Sequence, residues 1–208
     1  MAKIGLITII IIALIIVAFG SRQLQSKKNK VSYKDMSLLV SQLSALGYYH
    51  YTDASLVDEL QADAIASGYL YDDETQRIYM TDAEDLAEGL VEPFFDDIAP
   101  FLAMQHVNVE QIEFTDTGDT YELNVNGDRF TIYDRIDDEG EEEWALVPER
   151  VFQSINLLLQ AAGSNERIYT LYGGNDLFVV FLTEDMFKAI QQATVIETNE
   201  KPAAVRSL

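Results

Sequence analysis

Tyr169–Ile190 reads YTLYGGNDLFVVFLTEDMFKAI, and this stretch decides the fold class. Two strand-like runs, Arg167–Tyr172 and Leu177–Leu182, flank Gly173-Gly174-Asn175-Asp176. Gly, Asn and Asp supply the backbone conformations of a tight turn, so the segment reads as a β-hairpin. The second run, Leu-Phe-Val-Val-Phe-Leu, is apolar at every position, which predicts a strand buried on both faces in the centre of a sheet. Thr183 then offers a hydroxyl N-cap, and Glu184 and Asp185 fall at the positive end of a helix dipole. Met186, Phe187 and Ile190 pack that helix down. A hairpin running into an amphipathic helix signals α+β rather than alternating βαβ units.

Upstream of this stretch, Pro148 predicts the first turn of a helix burying Phe152, Ile155, Leu159 and Ala162, closed by Gly163. Val109–Phe114 reads as a strand before the Asp116–Asp119 turn, and Trp144–Leu146 as a short edge strand. Asn126-Gly127 joins the alternating Tyr121, Leu123, Val125 to Phe130 and Ile132, a strong hairpin signal. Nearer the N-terminus, Ser32-x-x-Asp35 opens a helix with Met36, Leu39, Val40, Leu43 and Leu46 on one stripe, ended by Gly47. Tyr48–Tyr51 reads as extended. A second helix spans 53–67. Tyr69-Leu70-Tyr71 and Ile78-Tyr79-Met80 read as a small hairpin around Asp72–Gln76. Thr81-x-x-Glu84 opens a helix through Leu86 and Leu90, and Pro93 and Pro100 cut 82–105 into two or three pieces that bury Phe94, Phe95, Ile98, Phe101 and Leu102. The expected organisation is an anchor and linker over 1–30, a helical subdomain over 31–106, a β-β-β-α-β-β-α subdomain with a mostly antiparallel sheet over 107–194, and a loose tail over 195–208.

The chain has 208 residues, no Cys and a net charge of −21. Five of the 14 basic residues and none of the 35 acids lie in the first 30 positions, so residues 31–208 carry nine bases against 35 acids, a net −26. Such a domain lacks the clustered Lys and Arg that binding nucleic acid requires. Without Cys there are no disulfides, thiolate metal sites or Cys nucleophile. Ile4–Phe19 is apolar apart from Thr8. As a helix, Ile4–Gly20 spans roughly 25 Å, close to a hydrocarbon core, with Lys3 and Arg22 able to snorkel to the interfaces. Ala18-Phe19-Gly20 satisfies a cleavage rule, but the long apolar run and the basic residues after it favour an uncleaved single-pass anchor in the lipid bilayer. Arg22, Lys27, Lys28 and Lys30 then place the main domain in the cytoplasm by the positive-inside rule.

No nucleophile-elbow, phosphate-loop or dinucleotide-binding motif occurs, and the two His, His50 and His106, have no partner at ligand spacing. No metal or other cofactor is expected. Asp137–Glu143 holds six acids in seven positions and reads as a solvated loop. It fails the calcium-loop pattern, because placing Gly140 at the loop's turn glycine puts Arg135 and Leu146 at ligand positions. Tyr48, Tyr49, Tyr51, Tyr69, Tyr71 and Tyr79 crowd one region. They fit core packing, and they also fit an aromatic contact surface. With the acidic field, the second reading makes Tyr48, Tyr49, Tyr71, Glu141, Glu142, Glu143, Asn175 and Asp176 candidate contacts for a basic protein partner.

Tyr169–Ile190 is similar to the C-terminal hairpin-plus-helix of small acidic bacterial proteins, some of them toxin-neutralising immunity proteins. The similarity covers about a tenth of the chain and carries no functional residue across. The expected function is a membrane-anchored, non-enzymatic interaction domain, of the inhibitor type or an accessory subunit of a membrane complex. The alternative is a carboxylate-rich metal- or ligand-binding domain, with a hydrolase as one form of it.

Overall fold

A computed structural model describes residues 32–140, 142–172 and 177–206. The expected anchor Ile4–Phe19 and its orientation lie outside the described residues, among which no helix is long and apolar enough to cross a membrane. The fold is α+β with antiparallel sheets. Its elements are α1 (residues 32–45), α2 (Val57–Ser67), β1 (Ile78–Thr81), α3 (Ala83–Ala87), α4 (Val91–Met104), β2 (Ile112–Asp116), β3 (Thr120–Val125), β4 (Asp128–Asp134), α5 (Glu143–Ala161), β5 (Glu166–Leu171), β6 (Leu177–Thr183), α6 (Glu184–Gln192) and β7 (Ala203–Ala204). One sheet has the order β1-β6-β5-β7, the other β2-β3-β4.

The apolar run of β6 sits inside its sheet, as its composition demands. Its alternate side chains feed two cores. Leu177, Val179 and Phe181 point into a core with α3, α4, α5 and the three-stranded sheet, where Phe181 stacks on Phe101 at 4.2 Å. Val180 and Leu182 point the other way, toward α1, α2 and α6. Helices α3–α5 therefore lie between the two sheets, and β1, from the N-terminal half, shares its sheet with β5 and β6. The Asn126-Gly127 turn has positive φ at both residues, 54° and 96°, as a type I′ hairpin requires. Thr183 caps α6 through Oγ1, which accepts from the Met186 N–H at 3.3 Å.

Several elements depart from their expected form. Tyr69-Leu70-Tyr71 is no strand: the Leu70 carbonyl accepts from the Tyr48 hydroxyl at 3.0 Å, and Asp72 caps a 3₁₀ turn at Asp73–Thr75. β1 pairs instead with β6, Ile78 opposite Val180 and Met80 opposite Phe178. Residues 46–50 form turns rather than an extended run. Pro100 lies inside α4 without ending it. Trp144–Leu146 is the first turn of α5, with Ala145 and Leu146 N–H both donating to the Glu142 carbonyl at 3.0 Å, so Pro148 sits within the helix and not at its start. The tail is bound: Ile196 is buried, Lys201 Nζ donates to the Gln191 carbonyl at 2.7 Å, and β7 pairs with β5.

Candidate functional site

Arg77, the residue before β1, is 0% exposed and sets the position of that strand. Its Nε donates to the Tyr48 carbonyl at 2.6 Å, Nη2 to the Gly47 carbonyl at 3.1 Å, and Nη1 to the Phe181 carbonyl and Glu166 Oε2, both at 2.9 Å. The guanidinium lies 4.7 Å from the centre of the Tyr51 ring. Glu166 Oε1 accepts from the Tyr51 hydroxyl at 3.4 Å, and that hydroxyl accepts from Gln105 Nε2 at 2.7 Å. Ser164 Oγ donates to Gln105 Oε1 at 2.8 Å and accepts from the Glu166 N–H at 3.0 Å, which closes the circuit. A buried ion pair survives desolvation only when its remaining donors and acceptors are met, as they are here. The result is a rigid joint between the turn after α1, the start of β1, the end of α4 and the start of β5.

Tyr48, Tyr49 and Tyr71, read above as rings of a contact surface, are 0%, 7% and 4% exposed and lie in the core. Burial lifts all three phenols above their ordinary range, Tyr49 to about 12. The exposed rings of this region are Tyr69, at 43%, and Tyr172, at 38%. Tyr172 holds φ at 62°, a left-handed conformation rare for an aromatic residue, and its ring meets Phe178 edge-on at 5.9 Å. Its hydroxyl bonds the Glu200 carboxylate. Glu142 is exposed ahead of α5, whereas Glu143 is engaged: Oε2 accepts from the Tyr121 hydroxyl at 3.1 Å and Oε1 lies 3.6 Å from Arg135. These acids and the three tyrosines lie on opposite sides of the four-stranded sheet. Glu141, Asn175 and Asp176 lie outside the described residues. In the acidic loop, Asp138 is buried in a two-pronged pair with Arg150 at 2.5 and 2.6 Å rather than solvated.

What the structure assembles is a groove of about 530 Å³ along the outer edge of β1. Ile78, Met80 and Phe178 line it from one face of the sheet, Tyr79 and Asp97 from the other, with Asp73 and Gln76 where the strand begins. The Phe181 N–H donates to the Arg77 carbonyl at 2.9 Å, so odd-numbered residues of β1 face β6 in the ladder. The backbone N–H and C=O groups of Ile78 and Met80 therefore point away from the sheet, and no second strand pairs with them among the described residues. Met80 is 64% exposed. The Tyr79 phenol is pushed up to about 12 by burial, with the Asp97 charge adding to it and Arg77 opposing. The sequence identifies β1 as a strand but pairs it wrongly. The signal against that pairing is the turn itself: Asp72–Gln76 contains none of the Gly or Asn-Gly that a tight hairpin uses.

Among the described residues, no group of three or more His, Asp or Glu is placed to hold a metal ion. His50 packs edge-on against Tyr51 at 5.1 Å, and His106 terminates α4 at φ 63°. The chain matches no protein-family model, no curated protein and no solved structure.

Proposed function

We propose that this chain is a membrane-anchored, non-enzymatic interaction domain that binds a basic protein partner, as an inhibitor or as an accessory subunit of a membrane complex. Ile4–Phe19 is the anchor, and the basic flank at Arg22, Lys27, Lys28 and Lys30 keeps the domain in the cytoplasm. The observation that carries the reading is the β1 edge: an open groove with Asp73 and Asp97 at its walls, set in a domain of net charge −26. A field of this sign steers cationic partners and raises their association rate. The exposed Met80 and the Tyr172–Phe178 pair beside the groove supply apolar contact area that charge alone does not.

The test is retention of cationic proteins by the immobilised full chain at low and at high salt. Selective retention at low salt, beyond that by an unrelated domain of equal charge, supports the reading. Equal retention by the two means that the acids serve only solubility. Carbonate extraction tests the anchor, and a reporter fused after Leu208 tests the side.

A further inference from the structure

The β1 edge offers two kinds of specificity at once. Ile78 and Met80 present two N–H and two C=O groups in the plane of the sheet, spaced as in any ladder. A segment laid beside them in extended form satisfies all four, and its side chains then alternate between the two faces. On one face they meet Ile78, Met80 and Phe178, which is apolar; on the other they meet the Tyr79 ring and the Asp97 carboxylate, which suits a cation. The edge is already rigid, because the Arg77 joint fixes the start of β1, so little ordering is lost on binding. Two of the other edges are blunted. β7 covers β5, and the Ile132 carbonyl of β4 accepts from Arg150 Nη1 at 3.3 Å. A second copy of this chain is a poor occupant, since pairing β1 with β1 sets Asp73 and Asp97 against their own equivalents inside two fields of −26.

We infer that the outer edge of β1 takes up an extended segment of a basic partner as an added β-strand, in which apolar and cationic side chains alternate. The inference rests on the interaction reading above and specifies the partner's form.

Four fluorescent peptides test it against the full chain: Lys-Val-Lys-Val-Lys-Val, the block isomer Lys-Lys-Lys-Val-Val-Val, and two forms of the alternating peptide with every second backbone nitrogen methylated, one in each phase. The alternating peptide is expected to bind at least about tenfold tighter than the block isomer and than one of the methylated phases, since a few backbone hydrogen bonds suffice for that ratio. Amide exchange at Ile78 and Met80 slows in that complex. Met80→Pro removes an outward N–H and no ladder bond to β6, so the variant keeps the fold and loses the peptide. If it fails to fold, the methylated peptides still decide. Equal affinity for all four peptides, or full binding by a folded Met80→Pro chain, overturns strand addition and leaves a charge-driven interaction standing. If no cationic peptide or protein binds at low salt, both readings fall.

Discussion

A guanidinium at residue 77 is tolerated in the core because each of its three nitrogens has an acceptor, and the cost of removing one partner is set by what the other is left with. Arg77→Met leaves Glu166 a buried carboxylate with only the Tyr51 hydroxyl and should cost about 3–5 kcal/mol, measured by urea unfolding. Combining it with Glu166→Leu should recover part of that loss; a double variant no better than the single one contradicts the pairing. The neighbouring tyrosines give a sharper contrast. Tyr48 donates to the Leu70 carbonyl, whereas the buried Tyr49 hydroxyl has no partner among the described residues. Tyr48→Phe should cost about 1 kcal/mol and Tyr49→Phe about nothing, or should stabilise slightly. The Tyr49 pKa is raised from 10.0 to about 12, so its contribution is whole below pH 10 and is lost as the pH rises through 12. Tyr49→Phe should shallow the alkaline limb of the stability curve over that window.

At the scale of elements, two joints hold the three-stranded sheet. The turn between α3 and α4 carries Gly89 at φ +86°, where an added Cβ would lie 2.7 Å from the Phe114 ring of β2. Gly89→Ala combines left-handed strain with that clash and should cost about 1–3 kcal/mol. A neutral result would mean that the turn does not rest on Phe114. The second joint is Asp138 with Arg150, which ties the loop after β4 to α5. Hydrogen bonds from Arg150 hold the Asp138 carboxyl below its usual 3.8, helped by the Asp134 N–H and opposed by burial. A depressed carboxyl stabilises the fold above its ordinary pKa and loses that contribution as the pH falls through the lowered value. Arg150→Met should therefore weaken the protein at neutral pH and flatten its acid unfolding curve, followed through the fluorescence of Trp144.

Across the whole molecule, repulsion among 35 acids opposes compactness, and salt screens it. The melting temperature at pH 7 should rise from low to physiological ionic strength; a constant or falling value would show that the acids are already compensated by local pairs. How much of this was legible in the residues follows from range. The β6 run, the Asn126-Gly127 turn and the Thr183 cap were readable because each depends on neighbours within a few positions. The partner of β1 was not, because strand pairing across about a hundred residues leaves no local trace when both candidates are apolar. Trp144–Leu146 was misread because three apolar residues suit either element, and the first helical turn carries its signal in Glu142 and Glu143 instead. The fate of the tyrosines was equally hidden, since the burial of Tyr71 depends on distant residues such as Ile196 and on the Glu200 carbonyl that accepts from its hydroxyl.

That C-terminal segment also sets valency. β7 is two residues long and follows Pro202, too short and too interrupted to template a further strand, yet it occupies the β5 side of the sheet. A sheet with one usable side accepts a single strand and stops. Removing residues 202–208 would leave usable sides at both ends, and the sheet would then take a strand on each. The intact chain should then bind the alternating peptide one-to-one by sedimentation, while the shortened chain should bind two.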